Sequence, residues 1–563
     1  MSRQKLELNW VGKDEKLEIE PRILIEDKSL SNISQDENTE NILIHGDNLL
    51  ALKALESKYA GQVKCIYIDP PFNTGGAFEH YDDNLEHSIW LNLMYHRLQI
   101  LYALLAEDGV IFVNLDDSES AYAKVMLDEI FSRDNYLNEI IVSTNKSFGF
   151  KSTSSGIFKQ ANHIFLFAKN KDIFEINQEA LKVEKGYDPQ YKWVFENMDA
   201  DESEWTWRNI NDIVAENLGY SSTRKAKQDL KDQFDIEVFD YAIKNNERVF
   251  RTASVSGGAL AKRRETINKS REERDKILRH PNDDMDYMFI GGERVLFYRE
   301  RLTELDGVLV PTELITDIWL DISVEGLAAE GGVSFPKGKK PEKLIQRCIE
   351  LSTKKGDLVL DSFLGSGTTS SVAHKMGRRW IGIEMGEHAY THCKTRLDSV
   401  IDGTDQTGIS RTVNWLGGGG YRFYELAPTL IQKDCLGIEV INKAYNADML
   451  AAAVALHEGF TYSPDEAIFW KQAKGTEESY LYVTTNHIDD NYLAAINSTM
   501  SEDEHLLIAC TSFDELIQNK YKNISVKKIP QMLLSKCEYK EDGYPLNIIS
   551  PPCVGDEEAD DNE

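Results

Sequence analysis

The chain has no uninterrupted apolar run approaching the roughly 20 residues that a membrane-spanning helix requires, so neither a helical span nor a membrane partner is expected. Its first residues, MSRQKLELNW, carry basic groups with no apolar stretch behind them, which excludes a secretory signal peptide at that position. Cysteine is scarce. Seven thiols, at 65, 348, 393, 435, 510, 537 and 553, form no CxxC pair and no Cys/His cluster with zinc spacing. An odd, scattered set reads as reduced thiols in a cytoplasmic protein, and no metal is expected. Positive charge is also in short supply: 63 Lys and Arg against 94 Asp and Glu leave a formal charge of −31. That balance argues against a surface that grips polyanions everywhere, and is compatible with a local basic surface on an acidic body. Internal repeats, a Gly-Lys-Ser/Thr phosphate loop and a metal-binding carboxylate set are absent as well.

What is present is a long globular chain. Its 563 residues suggest roughly three domains, or two with a large insertion. Residues 1–40 are charged and weakly patterned. From 41 to 170, strand-like and helix-like segments alternate. Ile42–Ile44 reads as a short strand, Gly46-Asp47 as a turn, and VKCIYID as a strand covered on both faces. Trp90, Met94, Leu98, Leu101 and Leu105 mark an amphipathic helix that Asp108-Gly109 ends, and VIFVNLDD and HIFLFAKN read as further strands. His96 lies within that helix and reads as structural. This alternation predicts an α/β fold with a parallel sheet. Residues 171–325 are long, polar and irregular, with a basic stretch from Arg224 to His280. The α/β pattern resumes over 326–426, a further small α/β region covers 427–552, and residues 553–563 read as a disordered acidic tail.

Two segments carry chemistry. The strand LVLD runs into Gly365-Ser366-Gly367-Thr368, which opens a helix, and Glu384 ends the next strand. Glycines let a backbone approach a ligand, a helix start offers free N–H groups, and an acid at that distance suits ribose hydroxyls. The ligand class stays open between NAD, FAD and S-adenosylmethionine, since all three carry adenosine. The second segment is Asp69-Pro70-Pro71-Phe72. A carboxylate at a strand's carboxyl end is followed by two prolines that lock the backbone and lack N–H groups. The Pro70 carbonyl is thereby left to face a ligand, with Phe72 just beyond and Asn73-Thr74-Gly75 continuing the turn. Two acceptors beside an aromatic face suit an amino group on a flat ring.

These segments resemble the amino-methyltransferases of DNA: DPPF is similar to their catalytic motif and DSFLGSGTT to their S-adenosylmethionine motif. The order here, catalytic motif first and cofactor motif after a long insertion, resembles the circularly permuted beta class. LIHGDNLLALKAL, LVPTELITDIW, FPKGKKPEKLI and WLGGGGYRFYEL extend the likeness, over most of 40–430, to the modification (Mod) subunits of type III restriction-modification systems. The resemblance implies a Rossmann-like methyltransferase sheet built from 41–170 and 326–426, with a target-recognition insertion at 171–325. It implies S-adenosylmethionine as cofactor and transfer of a methyl group to adenine N6 in double-stranded DNA. By motif match, Asp69 and Pro70 bind the amine, Pro71 stiffens the loop and Phe72 stacks on the base, where the family more often has Tyr. Asp361, Phe363, Gly365 and Gly367 line the methionine part of the cofactor, with Ser366 and Thr368 in the same turn. Glu384 serves the ribose, Asp47 reaches the adenine, and Lys340 matches a Lys-Pro segment before the cofactor strand.

Methylation inside a duplex needs the base flipped out. The insertion therefore supplies the expected DNA grip: Arg224, Lys225, Lys227, Lys262, Arg263, Arg264 and Lys269 for phosphates, and Trp205, Trp207 or Asn268 for bases. The family pairs Mod subunits, so a homodimer and a restriction (Res) subunit are the expected partners, with 427–552 as the contact region. The rivals are a cytosine-N4 methyltransferase, whose motif usually begins with Ser rather than Asp69, a catalytically silent DNA-binding subunit, and an NAD enzyme, for which DPPF has no obvious task.

Overall fold

The computed structural model describes residues 7–14, 17–73, 86–143, 159–281, 287–305, 308–336, 338–518, 520–529, 531–534, 536, 537 and 539. Thr74, Gly75 and the tail at 553–563 lie outside them. The chain divides into two compact units, one made of 1–177 with 317–563 and the other of 178–316.

The first unit holds a ten-stranded sheet. Its elements are β1 (Leu24–Glu26), β2 (Ile42–His45), α1 (Asn48–Tyr59), β3 (Val63–Ile68), α2 (His87–Leu104), β4 (Leu105–Leu115), α3 (Ser120–Phe131), β5 (Tyr136–Ser143) and β6 (Ala161–Ala168). After the second unit come β7 (Ile318–Trp319), α4 (Glu342–Ser352), β8 (Leu358–Asp361), α5 (Thr368–Lys375), β9 (Arg379–Glu384), α6 (Thr395–Ile401) and β10 (Arg422–Leu426). The strand order is β1-β10-β2-β9-β8-β3-β4-β6-β5-β7. From β10 to β4 every pairing is parallel. β6 runs antiparallel to both β4 and β5.

The two halves of the chain interleave in that order. β8 and β9 slot between β2 and β3, with Val359 opposite Cys65 and Leu360 opposite Ile66. Strands covered on both faces need continuous apolar runs. β3 and β8 have them, and their residues are buried almost throughout. The core gathers α1, α2 and α3 against the sheet through Leu49, Leu52, Trp90, Met94, Leu98 and Leu127.

Two local expectations give way. The helix α2 stops at Leu104, and Asp108-Gly109 lies inside the eleven-residue strand β4. Leu105 is extended (φ −60, ψ 137) and pairs with Val63, so its apolar side chain serves the sheet rather than the helix. Within the weakly patterned 1–40, β1 closes one edge of the sheet by pairing with β10, too short to show a period in the sequence.

The same unit continues past β10. Strands 479–488, 505–513 and 524–528 form a parallel array extended by short antiparallel strands at 461–462 and 473–474, with helices Ala447–Glu458 and Asp490–Asn497. Glu20 ties back to it, accepting from the Leu430 amide at 2.8 Å and the Thr429 hydroxyl at 2.9 Å. The second unit, 178–316, carries an antiparallel six-stranded sheet with helices at 210–217, 223–230, 232–244 and 257–272. Its core stacks Phe195 on Phe250 at 3.9 Å between ring centres. Among the described residues no helix is long and apolar enough to cross a membrane.

Helices α4, α5 and α6 are joined by a buried ionic cluster. Glu342 accepts from Lys375 at 2.9 Å and Arg396 at 2.7 Å, and Lys375 also reaches Asp405 at 2.7 Å. The side chains of all four are at most 2% exposed. Burial pushes the Glu342 carboxyl up, but Arg396 and Lys375 outweigh it and hold the group below its ordinary value. Removing one member of such a cluster strands charges without solvent. Glu342→Gln is therefore expected to destabilise this unit by about 3–5 kcal/mol, read from the denaturant midpoint of its unfolding transition.

Candidate active site

Parallel α/β sheets bind ligands outside the carboxyl ends of their strands. Here the carboxyl ends of β9, β8, β3 and β4 deliver Glu384, Asp361, Asp69 and Asn114 side by side.

Asp69 follows β3 directly. Its Oδ1 accepts from Asn114 Nδ2 at 2.8 Å, and its Oδ2 accepts from the Lys340 ammonium. Asn114 is fully buried and lies in register beside Asp69, because Ile68 pairs with Val113. Burial pushes the Asp69 carboxyl above the usual range, opposed by Lys340 and by the Asn114 bond. The loop that follows is pinned. Trp90 Nε1 donates to the Pro71 carbonyl at 2.8 Å, and Asn73, in the left-handed region (φ 60), donates from Nδ2 to Glu119 Oε1 at 2.6 Å. Among the described residues no donor reaches the Pro70 carbonyl. Phe72 is half-buried, and Lys340 Nζ lies 5.0 Å from its ring centre.

The glycine turn follows β8. Asp361 accepts from the Phe363 amide at 2.9 Å and from Thr369 Oγ1 at 2.5 Å. Burial pushes its carboxyl up to about 7, against those bonds and helped by the negative charges of Asp69 and Glu384. Gly365 (φ 57) and Gly367 (φ 80) are both left-handed, where side chains are strained. The Gly365 amide donates to Glu384 Oε2 at 2.7 Å and the Gly386 amide to Oε1 at 3.0 Å, so the acid at the end of β9 is fixed by backbone. The hydroxyls of Ser362 and Ser370 beside the turn are buried without partners. Phe363 is half-buried against the main core.

Several assigned residues stand elsewhere. Asp47 is the N-cap of α1: Oδ1 accepts from the amides of Leu49 (2.8 Å) and Leu50 (3.2 Å), and Oδ2 from the buried Arg97 at 3.2 Å. Its carboxylate thus caps the helix and pairs with Arg97, with its side chain 13% exposed. Lys340 turns to Asp69, not to the glycine turn. Thr368 accepts from Arg396 at 2.8 Å and lies 3.2 Å from the Ser366 hydroxyl, so both side chains serve the fold. In the second unit Arg263 is buried with its guanidinium 3.7 Å from the Tyr287 ring centre, which removes it from any phosphate. Trp205 and Trp207 pack beside Phe195, at 5.3 and 6.3 Å, and belong to that core. Arg224, Lys225, Lys227, Lys262, Arg264, Asn268 and Lys269 are exposed, Lys269 within 4.0 Å of Glu273. His96 is half-buried on α2, its basicity lowered by burial and by Arg97.

The roles of Asn114, Glu119 and Trp90 at the site are missed by sequence reasoning: the spacing of Trp90 marks it only as a core residue of α2, and Glu119 carries no signal. Only Asn114 has a faint one, as a polar residue inside the apolar run of β4.

A family model described as DNA methylase (N6_N4_Mtase) matches residues 63–395, more than half of the chain. The chain belongs to this DNA methylase family. It is 37% identical over 410 residues to the probable type III restriction-modification enzyme HindVI Mod subunit of Haemophilus influenzae, covering 69% of this chain and 54% of that protein. It is 27% identical over 430 residues to the EcoPI Mod subunit of Escherichia phage P1, covering 66% and 61%. To the EcoP15I Mod subunit of Escherichia coli it is 23% identical over 506 residues, covering 80% and 76%. The chain thus spans a little over half the length of the first two of these relatives.

The turn's need for glycine is testable. A Cβ at Gly367 would sit 3.2 Å from the Cys393 Cα, whereas one at Gly356 (φ 86) meets open space. Gly367→Ala is expected to cost about 1–3 kcal/mol of stability and Gly356→Ala less, with the difference in their melting points isolating the close backbone approach.

Proposed function

We propose that this DNA methylase is a site-specific adenine-N6 methyltransferase that uses S-adenosylmethionine and acts as the modification and recognition subunit of a type III restriction-modification system. The observation that carries the reading is the pairing of β3 with β8, which sets the Asp69-Pro-Pro-Phe loop and the glycine turn at neighbouring strand ends. The relatives named Mod subunits support the type III assignment.

The residues of the turn fit the cofactor. Left-handed glycines admit a close ligand, the buried Ser362 and Ser370 hydroxyls have bonds to give, and Asp361, Glu384 and Asp69 suit a cation. Asp361, Phe363, Gly365 and Gly367 would hold the methionine part and Glu384 the ribose. When bound, S-adenosylmethionine supplies a methyl group activated on a positively charged sulfur.

The chain's own work concerns the amine. An adenine flipped from the duplex would stack on Phe72 and donate its two N6 hydrogens to the Asp69 carboxylate and the open Pro70 carbonyl. Holding both hydrogens turns the nitrogen lone pair towards the crevice, and the carboxylate stabilises the charge that develops on nitrogen. Trp90 and Asn73 keep the loop rigid through this step. The surplus N6 proton leaves to water. Exposed Arg224, Lys225, Lys227, Lys262, Arg264 and Lys269 of the second unit supply phosphate contacts on an otherwise acidic chain. A second copy of the chain, a Res subunit and a cytoplasmic location complete the proposal.

Two measurements test this. Sequencing with modified-base detection on DNA from cells expressing the chain should find N6-methyladenine at one short motif, lost completely with Asp69→Ala. N4-methylcytosine would instead assign the cytosine reading, and cofactor binding without any modified base would assign a silent subunit. The second measurement uses Asp361. With its carboxyl near 7, the group is largely protonated below that pH, and a bound sulfonium favours the ionised form. Cofactor binding near neutrality should therefore release a proton, seen by calorimetry in buffers of different ionisation enthalpy. Affinity should fall as pH drops below about 7, and Asp361→Asn should remove both effects.

A further inference from the structure

Lys340 precedes α4 and lies 271 positions from Asp69 in sequence, yet its ammonium group bonds to Asp69 Oδ2. It also lies 5.0 Å from the centre of the Phe72 ring. One cationic nitrogen thus touches the carboxylate and faces the aromatic ring that a bound amino base would use. The two Asp69 oxygens are held differently. Asn114 grips Oδ1 from inside β4, buried and fixed by strand pairing. Lys340 grips Oδ2 from a loop, and among the described residues its ammonium group makes only one other hydrogen bond, a long one of 3.4 Å to the Gly338 carbonyl. Asn114 is held by the sheet itself, whereas Lys340 reaches Asp69 from a loop with its side chain 13% exposed.

We propose that Lys340 is a positioning residue whose ammonium group occupies the place of the target amine, holding Asp69 charged and aimed until an amino base displaces it. The identity of the arriving amine rests on the methyltransferase reading; the lysine–carboxylate pair does not.

The charged and titratable groups facing Asp69 are few. Lys340 comes from the loop before α4, Asp361 from β8 and Tyr67 from β3, while β4 contributes only the neutral Asn114. Burial works against the Asp69 charge, and Lys340 is the single cation opposing it, with the neutral Asn114 bond beside it. Without it, Asp69 would be protonated at higher pH and would lose an acceptor for the amine. With it, a base entering the site must break an ion pair.

The test begins without cofactor or DNA. Isotope-edited infrared spectra of the full chain carrying carbon-13 aspartate report whether Asp69 is ionised, with Asp69→Asn as the blank. At neutral pH the wild type should show Asp69 as a carboxylate. Lys340→Met and Lys340→Gln should gain a protonated-carboxyl band that vanishes when Asp69→Asn is added, and Lys340→Arg should keep the carboxylate. A carboxylate retained in both neutral variants overturns the proposal. Methyl incorporation into DNA from an unmodified host then reads the exchange. In Lys340→Met the acid limb of the rate profile should move up by about one pH unit. Above that limb, half-maximal rate should need several-fold less DNA than in the wild type. An unmoved limb with weakened cofactor affinity overturns the proposal and makes Lys340 a cofactor ligand. A wild type that transfers no methyl group to adenine refutes the proposed function, and the infrared result still decides the Lys340–Asp69 pairing.

Discussion

The structure depends on one strand pairing. β3 runs straight into Asp69, β8 ends in Asp361, and they lie side by side through Cys65 with Val359 and Ile66 with Leu360. Each strand is a short apolar run buried on both faces, so the pairing is held by the hydrophobic packing of the whole sheet as well as by its own ladder. Everything chemical sits where those two strands stop. The carboxylate that would take an amine and the glycine turn that would take an adenosyl group are brought together by backbone register rather than by flexible side chains.

Polar groups in such a place are kept by partners. Asp69 has Asn114 and Lys340, Asp361 has Thr369 and the Phe363 amide, and Glu384 has two backbone amides. Behind them the Glu342–Lys375–Arg396–Asp405 cluster binds three helices through charges with almost no solvent contact. Burying ions is unfavourable, and pairing them this closely specifies how the helices can meet. Arg396 takes part in both layers: it bonds to Glu342 and also to Thr368 in the glycine turn.

The legible features were those set by local chemistry. The apolar runs of β3 and β8, the double proline and the glycine turn could be read directly, and the likeness to DNA amino-methyltransferases is borne out by the family match. What stayed hidden depends on residues distant in sequence. Asp47 looks like a free acid at a strand end until Arg97 arrives from α2 and the start of α1 claims its other oxygen. Arg263 reads as one more cation in a basic stretch, and only the fold sets it on Tyr287. Lys340 and Asp69 reveal their pairing only when the insertion between them is closed into its own unit. Spacing arguments cannot find such contacts, because no period links them.

The interleaved strand order also has a consequence for synthesis on the ribosome. β2 has β9 and β10 as its neighbours, and β3 has β8 on one side, so roughly 290 residues separate β3 from its missing partner, about 15–60 s of translation. Through that interval a nascent chain carries three strand edges, two on β2 and one on β3, without their final partners, while the 178–316 unit, with its own core, can fold in the meantime. Chaperone occupancy on this polypeptide should therefore begin near the first segment and end only as residues 358–426 emerge.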